Sequence, residues 1–126
     1  FKLTEYVYYF SLLVLLILYL FPGSLIGYFL YGNLGQQPNL ITNPIGTSIN
    51  HFIFFSYITL LVIIVRLRIK NFFTSYKVVL FISGILEILH LIVPNRAFEL
   101  YDLIANITGV VIVLLIYRVI RWQKYF

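Results

Sequence analysis

The sequence contains no cysteine, so it forms no disulfide and offers no thiol for redox or metal chemistry. It contains no methionine either, not even an initiator, and the first residues of the gene product are expected to precede Phe1. Charge is scarce. Only 10% of the 126 residues are Asp, Glu, Lys or Arg, where a soluble domain carries roughly a quarter. Acidic groups are the scarcest, with 4 Asp and Glu against 9 Lys and Arg. What fills the chain instead is apolar, 62% of it hydrophobic. A water-soluble protein of this length leaves too much surface exposed to hide such a composition. Lipid is the expected solvent.

Four apolar stretches, 3–21, 48–65, 76–93 and 101–120, approach the roughly 20 residues that a spanning helix requires. The expected fold is a single all-α membrane domain over 1–126, with four transmembrane helices and an outer loop over 23–47. The first stretch also has the outline of a cleaved signal peptide, with Lys2 as its basic end, but its apolar run is long and rich in aromatics. Within 23–47, SLIGYFLYG is apolar but too short to span, and predicts a short interfacial or re-entrant helix over 24–31. NLGQQPNLITNPIGT follows it, and its Asn, Gly, Gln and Pro predict a loop.

Lys and Arg accumulate in cytoplasmic loops, which orients the chain. Lys2, Arg66, Arg68, Lys70, Lys77, Arg118, Arg121 and Lys124 fall on one side of a four-span arrangement, and Arg96 alone falls on the other. Both termini are therefore expected in the cytoplasm and the two loops around 23–47 and 94–100 outside. The net charge of +5 is explained as a topology signal, which excludes nucleic acid as the expected partner. Tyr6, Tyr8, Tyr9, Tyr76, Trp122 and Tyr125 would mark the inner interface, and Tyr28, Tyr31 and Tyr101 the outer one.

The rare polar residues are not scattered. Three of the 4 acidic residues (Glu87, Glu99, Asp102), together with His51, His90, Arg96 and Asn106, share the outer half of this arrangement. Ser83, Glu87 and His90 stand at i, i+4 and i+7 and line one helical face; Asp102, Asn106 and Gly109 repeat the spacing. The third and fourth helices, joined by a short link, must be antiparallel neighbours, so these two faces can meet beneath Arg96. Gly84 and Gly109 would let backbones approach closely. Asp102 is also placed to favour the start of the fourth helix, and Glu99 reads as a solvated loop residue.

A carboxylate at lipid depth is a functional-site candidate by default. Its competitor is an ion-paired knot of Glu87, Arg96 and Asp102 that fixes helix packing. Glu87-x-x-His90 has the spacing used in carboxylate-bridged metal bundles, but a single such unit does not assign a metal. No serine or cysteine nucleophile motif is present, so no catalytic residue and no cofactor is assigned.

H-x-x-x-F from His51, Glu87-Ile-Leu-His90, Pro94-Asn-Arg96 and Asp102-Leu-Ile-Ala-Asn106-Ile-Thr-Gly109 together resemble the VanZ-like family of small membrane proteins. The likeness covers about 47–115, and the last block is its most specific part. The family often has Asp-Lys before the histidine, where this chain has Thr47-Ser48, and Gln where it has His90. The family takes its name from a member associated with reduced susceptibility to the glycopeptide teicoplanin, so the resemblance implies an envelope role and no particular reaction. The sequence thus predicts a non-catalytic VanZ-like protein of a prokaryotic cytoplasmic membrane. Its ligand-binding residues would be His51, Glu87, His90, Arg96, Asp102 and Asn106, and its ligand a lipid headgroup, an envelope metabolite or a glycopeptide. Two alternatives stay open. One is a structural accessory subunit bound to other subunits of a membrane complex. The other is an envelope-lipid enzyme with His51 as base and Arg96 as anion stabiliser.

Overall fold

The computed structural model describes residues 2–22, 25–33, 46–94 and 98–123. Its elements are α1 (Lys2–Leu20), α2 (Leu25–Tyr31), α3 (Gly46–Arg66), α4 (Tyr76–Leu89) and α5 (Leu100–Gln123), with a 3-10 turn at Phe72–Thr74. No strand occurs among the described residues, in keeping with an all-α chain. The short helix expected over 24–31 is α2, closed by Gly32 at a φ of 69°. That left-handed backbone suits glycine, which lacks the Cβ that would clash there. The polar loop expected after it falls on 34–45, outside the described residues.

The expectation of four spanning helices needs correction. Three described helices are long and apolar enough to cross a membrane: Lys2–Leu20, Ser48–Arg66 and Leu100–Trp122. These point to a membrane protein. The third predicted span, 76–93, forms α4 for only 14 residues and stops at Leu89. At 1.5 Å per residue such a helix covers roughly 21 Å, short of a hydrocarbon core about 30 Å thick. Pro94 sits beyond that end, and its ring disfavours helical backbone in Val93, so the helix is not resumed there. The N–H groups of His90, Leu91 and Ile92 each donate to a carbonyl three residues back, at 3.0–3.1 Å, so the chain tightens into turns. Leu91, Ile92 and Val93 lengthen the apolar run without lengthening the helix.

Tyr8, Leu12, Leu15 and Tyr19 form a buried stripe along α1 at helical spacing. They pack with Phe55, Ile58, Val62 and Val65 of α3, Val79 and Leu86 of α4 and Val110 of α5 in one core. The most extensive interface joins α3 to α5, and a Cβ on Gly109 would lie 2.7 Å from the Phe52 carbonyl oxygen. Only glycine permits that approach. Gly84, expected to play the same part, has nothing within 4 Å of where its Cβ would stand. The outward faces are as apolar as the core, with Leu13 and Ile17 on α1, Leu60 and Ile64 on α3, and Leu115 and Val119 on α5 exposed. Helices apolar on every side belong in lipid or a protein interior.

The link from α3 to α4 lies at the basic end. Asn71 caps the 3-10 turn, its Oδ1 accepting the N–H groups of Phe73 and Thr74 at 2.9 and 3.1 Å. Arg66 donates to the Thr74 carbonyl at 3.2 Å and lies 5.1 Å from the Tyr76 ring centroid. Tyr8 is fully buried at this end, and its hydroxyl donates to the Phe73 carbonyl. Arg66, Lys70 and Arg121 border a cavity of about 680 Å³ here, with Tyr76 and Tyr117 in its wall. Polar side chains of the opposite character collect at the other end of the bundle.

Candidate functional site

Four helices send polar side chains to one place. α1 supplies Tyr19, α3 supplies Ser48 and His51, α4 supplies Ser83 and Glu87 with His90 at its end, and α5 supplies Asp102 and Asn106. Ser48, Ser83, Glu87, His90, Asp102 and Asn106 are buried, Ser83, Glu87 and Asn106 completely. His51 lies at the edge, with 11% of its side chain accessible.

The hydrogen bonds form an ordered relay whose proton positions follow from its fixed acceptors. A backbone carbonyl can only accept, so Asn106 donates its Nδ2 to the Ser83 carbonyl at 3.0 Å. Asn106 Oδ1 is then the acceptor for the Tyr19 hydroxyl at 2.8 Å. Having given its one proton away, the Tyr19 oxygen accepts from His51 Nδ1, which also lies 3.2 Å from Asn106 Oδ1. The neutral His51 ring therefore turns the bare lone pair of Nε2 toward Asp102, whose Oδ2 is 3.6 Å away. The other Asp102 oxygen, Oδ1, is held by the Ser48 hydroxyl at 2.7 Å.

The second histidine is committed differently. His90 Nε2 donates to the Tyr19 carbonyl at 2.9 Å, and its Nδ1 lies 3.3 Å from Glu87 Oε1, a contact that needs one proton between those atoms. Tyr19 sits between the two imidazoles, stacked on His90 at 5.2 Å and edge-on to His51 at 5.2 Å. Glu87 Oε1 also accepts the backbone N–H of Glu99 at 3.1 Å. Glu87 Oε2 is buried and has no hydrogen-bond partner among the described residues. An unsatisfied carboxylate oxygen inside a protein is costly, by about 1–3 kcal/mol or more. One ligand atom each from His51, Glu87 and Asp102 lies within 4.8 Å of the other two, which makes these three the residues able to hold a metal ion.

Five of the six residues expected from the sequence thus converge: His51, Glu87, His90, Asp102 and Asn106. Arg96, the sixth, falls outside the described residues. Among the described residues the basic side chains within ion-pairing distance of Glu87 and Asp102 are the two histidines, which pair ionically only when protonated. Asp102 lies within the first turn of α5, a favourable place for a negative charge, and it spends Oδ1 on Ser48. Glu99 has an exposed side chain, as expected, and contributes through its backbone. Partial burial, followed by the Asp102 and Glu87 carboxylates, pushes the Glu99 carboxyl above its usual range.

Tyr19 and Ser48 were not foreseen. Ser48 stands three residues before His51, so helical spacing already put both on one face. Tyr19 completes the stripe of Tyr8, Leu12 and Leu15, and is the polar member of that stripe nearest the cluster. No protein-family model matches the chain, and no curated protein or solved structure does. The likeness to VanZ-like proteins rests on the quoted motifs alone.

Proposed function

We propose that this chain is a non-catalytic, membrane-embedded binding protein. Its ligand is a small polar group, a lipid headgroup or envelope metabolite, held at the cluster of His51, Glu87, Asp102 and Asn106. The observation that carries this reading is the buried, unpartnered Oε2 of Glu87. A group that served packing alone would be expected to have both oxygens satisfied, because nearly all buried polar atoms are. Intramembrane carboxylates with unspent acceptor capacity are expected where something binds.

The charge distribution supports placing this cluster on the outer side. Arg66, Lys70, Lys77, Arg118 and Arg121 belong to the opposite end, the arrangement that positive-inside orientation favours. By its place in the sequence between α4 and α5, Arg96 is the residue suited to an anionic oxygen of the ligand, since guanidinium binds phosphate and carboxylate bidentately. The VanZ-like motifs favour an envelope setting, and a glycopeptide remains within the same chemistry.

Native mass spectrometry of the protein released gently from its own membrane tests this. The expected result is the chain, alone or as a homo-oligomer, carrying a bound lipid or small molecule that Asp102→Asn loses. Appearance only in stoichiometric complex with other subunits, with no such adduct, would favour an accessory subunit and make the cluster architecture.

A further inference from the structure

The cluster contains three side chains whose secondary atoms are all occupied and whose primary atoms are not. His51 Nδ1 is held by Tyr19 and Asn106, Asp102 Oδ1 by Ser48, and Glu87 Oε1 by His90 and the Glu99 N–H. What remains among the described residues is Glu87 Oε2, which has no partner, and the facing pair of His51 Nε2 and Asp102 Oδ2 at 3.6 Å. Three lone pairs brought to one buried place repel one another unless a positive charge lies between them. In metal sites the ligating imidazole donates its other N–H to a fixed acceptor, and ligating carboxylates are themselves hydrogen-bonded. Each of the three ligands here has such a support.

We infer that His51 Nε2, Asp102 Oδ2 and Glu87 Oε2 bind a divalent first-row metal ion of the zinc class. The inference rests on reading the cluster as a ligand site and names its cation. Imidazole with two carboxylates suits zinc better than calcium or magnesium, which prefer all-oxygen shells. Bonds of about 2.1 Å in a tetrahedral site put ligand atoms roughly 3.4 Å apart. His51 Nε2 and Asp102 Oδ2, at 3.6 Å, already have that spacing. One ligand atom of Glu87 lies within 4.8 Å of one from His51 and one from Asp102, so a side-chain movement of roughly an ångström closes the site. The Glu87-x-x-His90 pair is not the metal unit, because the Tyr19 carbonyl takes His90 Nε2. Three protein ligands leave a fourth position open, and an anionic oxygen of a headgroup would be drawn to it.

The test uses the full chain in mild detergent, stripped with a chelator and dialysed against Zn²⁺. Elemental analysis is expected to give one zinc per chain in the wild type and in Glu5→Gln, an acidic residue in the first turn of α1. Glu87→Gln and Asp102→Asn should bind none. Ser48→Ala, which frees Asp102 Oδ1, should weaken binding roughly tenfold. Loading the wild type with Co²⁺ gives a readout independent of how any variant folds, and a low-symmetry visible spectrum with imidazole ligation is expected. A spectrum of hydrated Co²⁺, no zinc in the wild type, or equal zinc in the two carboxylate variants would each overturn the inference. Metal uptake without a bound headgroup would leave the inference standing and remove the headgroup reading; a bound headgroup without metal uptake would do the reverse.

Discussion

Tyr19 joins three members of the cluster, His51, His90 and Asn106. Its hydroxyl fixes Asn106 and the His51 tautomer, its carbonyl fixes His90, and its ring separates the two imidazoles. Tyr19→Phe keeps the ring and the carbonyl and removes only the hydroxyl. It should cost about 1–3 kcal/mol, read as a lowered midpoint of thermal unfolding, because Asn106 Oδ1 and His51 Nδ1 lose a buried partner. An unchanged midpoint would show that the hydroxyl is not holding the relay. The residues legible from sequence were those whose polarity is conspicuous at lipid depth, such as Glu87 and Asn106, and helical spacing put them on facing surfaces. A tyrosine in an apolar helix and a serine at a helix start have ordinary roles at an interface or a cap. Only its spacing from His51 pointed to Ser48, and nothing local marked Tyr19 as part of the site.

Among the elements, the two helical glycines separate sharply. Gly109→Ala pushes a methyl against the Phe52 carbonyl at 2.7 Å, where the obstacle is backbone and cannot swing away. Overpacking at the α3–α5 interface should destabilise by about 1–3 kcal/mol. Gly84→Ala meets nothing within 4 Å and removes a flexible residue from α4, so it should be neutral or stabilising by up to about 1 kcal/mol. Thermal unfolding of the two variants side by side checks both, and the reverse order would contradict this account of the packing. Sequence could name both glycines but not the facing surface, which depends on how α3 and α5 cross. The length of α4 shows the same limit in another form. Hydropathy counted Leu91, Ile92 and Val93 into the span, while the backbone left the α-helix at Leu89 for tighter turns.

For the whole molecule, an apolar exterior and a segregation of basic from acidic groups were both readable in composition and charge order. How the short α4 carries the chain between the two ends was not. Because the sequence has 0 cysteines, single cysteines report topology without background. Lys70→Cys and Glu99→Cys, at exposed positions on either side of α4, should react with a membrane-impermeant maleimide from opposite faces of the membrane, Lys70→Cys from inside. Labelling of both from the same face would show that α4 does not cross.

The central claim is that the cluster holds Glu87 for a ligand and not for packing. Thermal unfolding of Glu87→Gln in detergent, with chelator present so that no metal contributes, tests it most directly. Glutamine keeps the oxygen that accepts from the Glu99 N–H and replaces the unpartnered carboxylate oxygen with a neutral donor. The account predicts a midpoint no lower than that of the wild type. A loss of about 3–5 kcal/mol, the usual cost of breaking a buried ion pair, would contradict it and identify the cluster as the knot that holds the helices together.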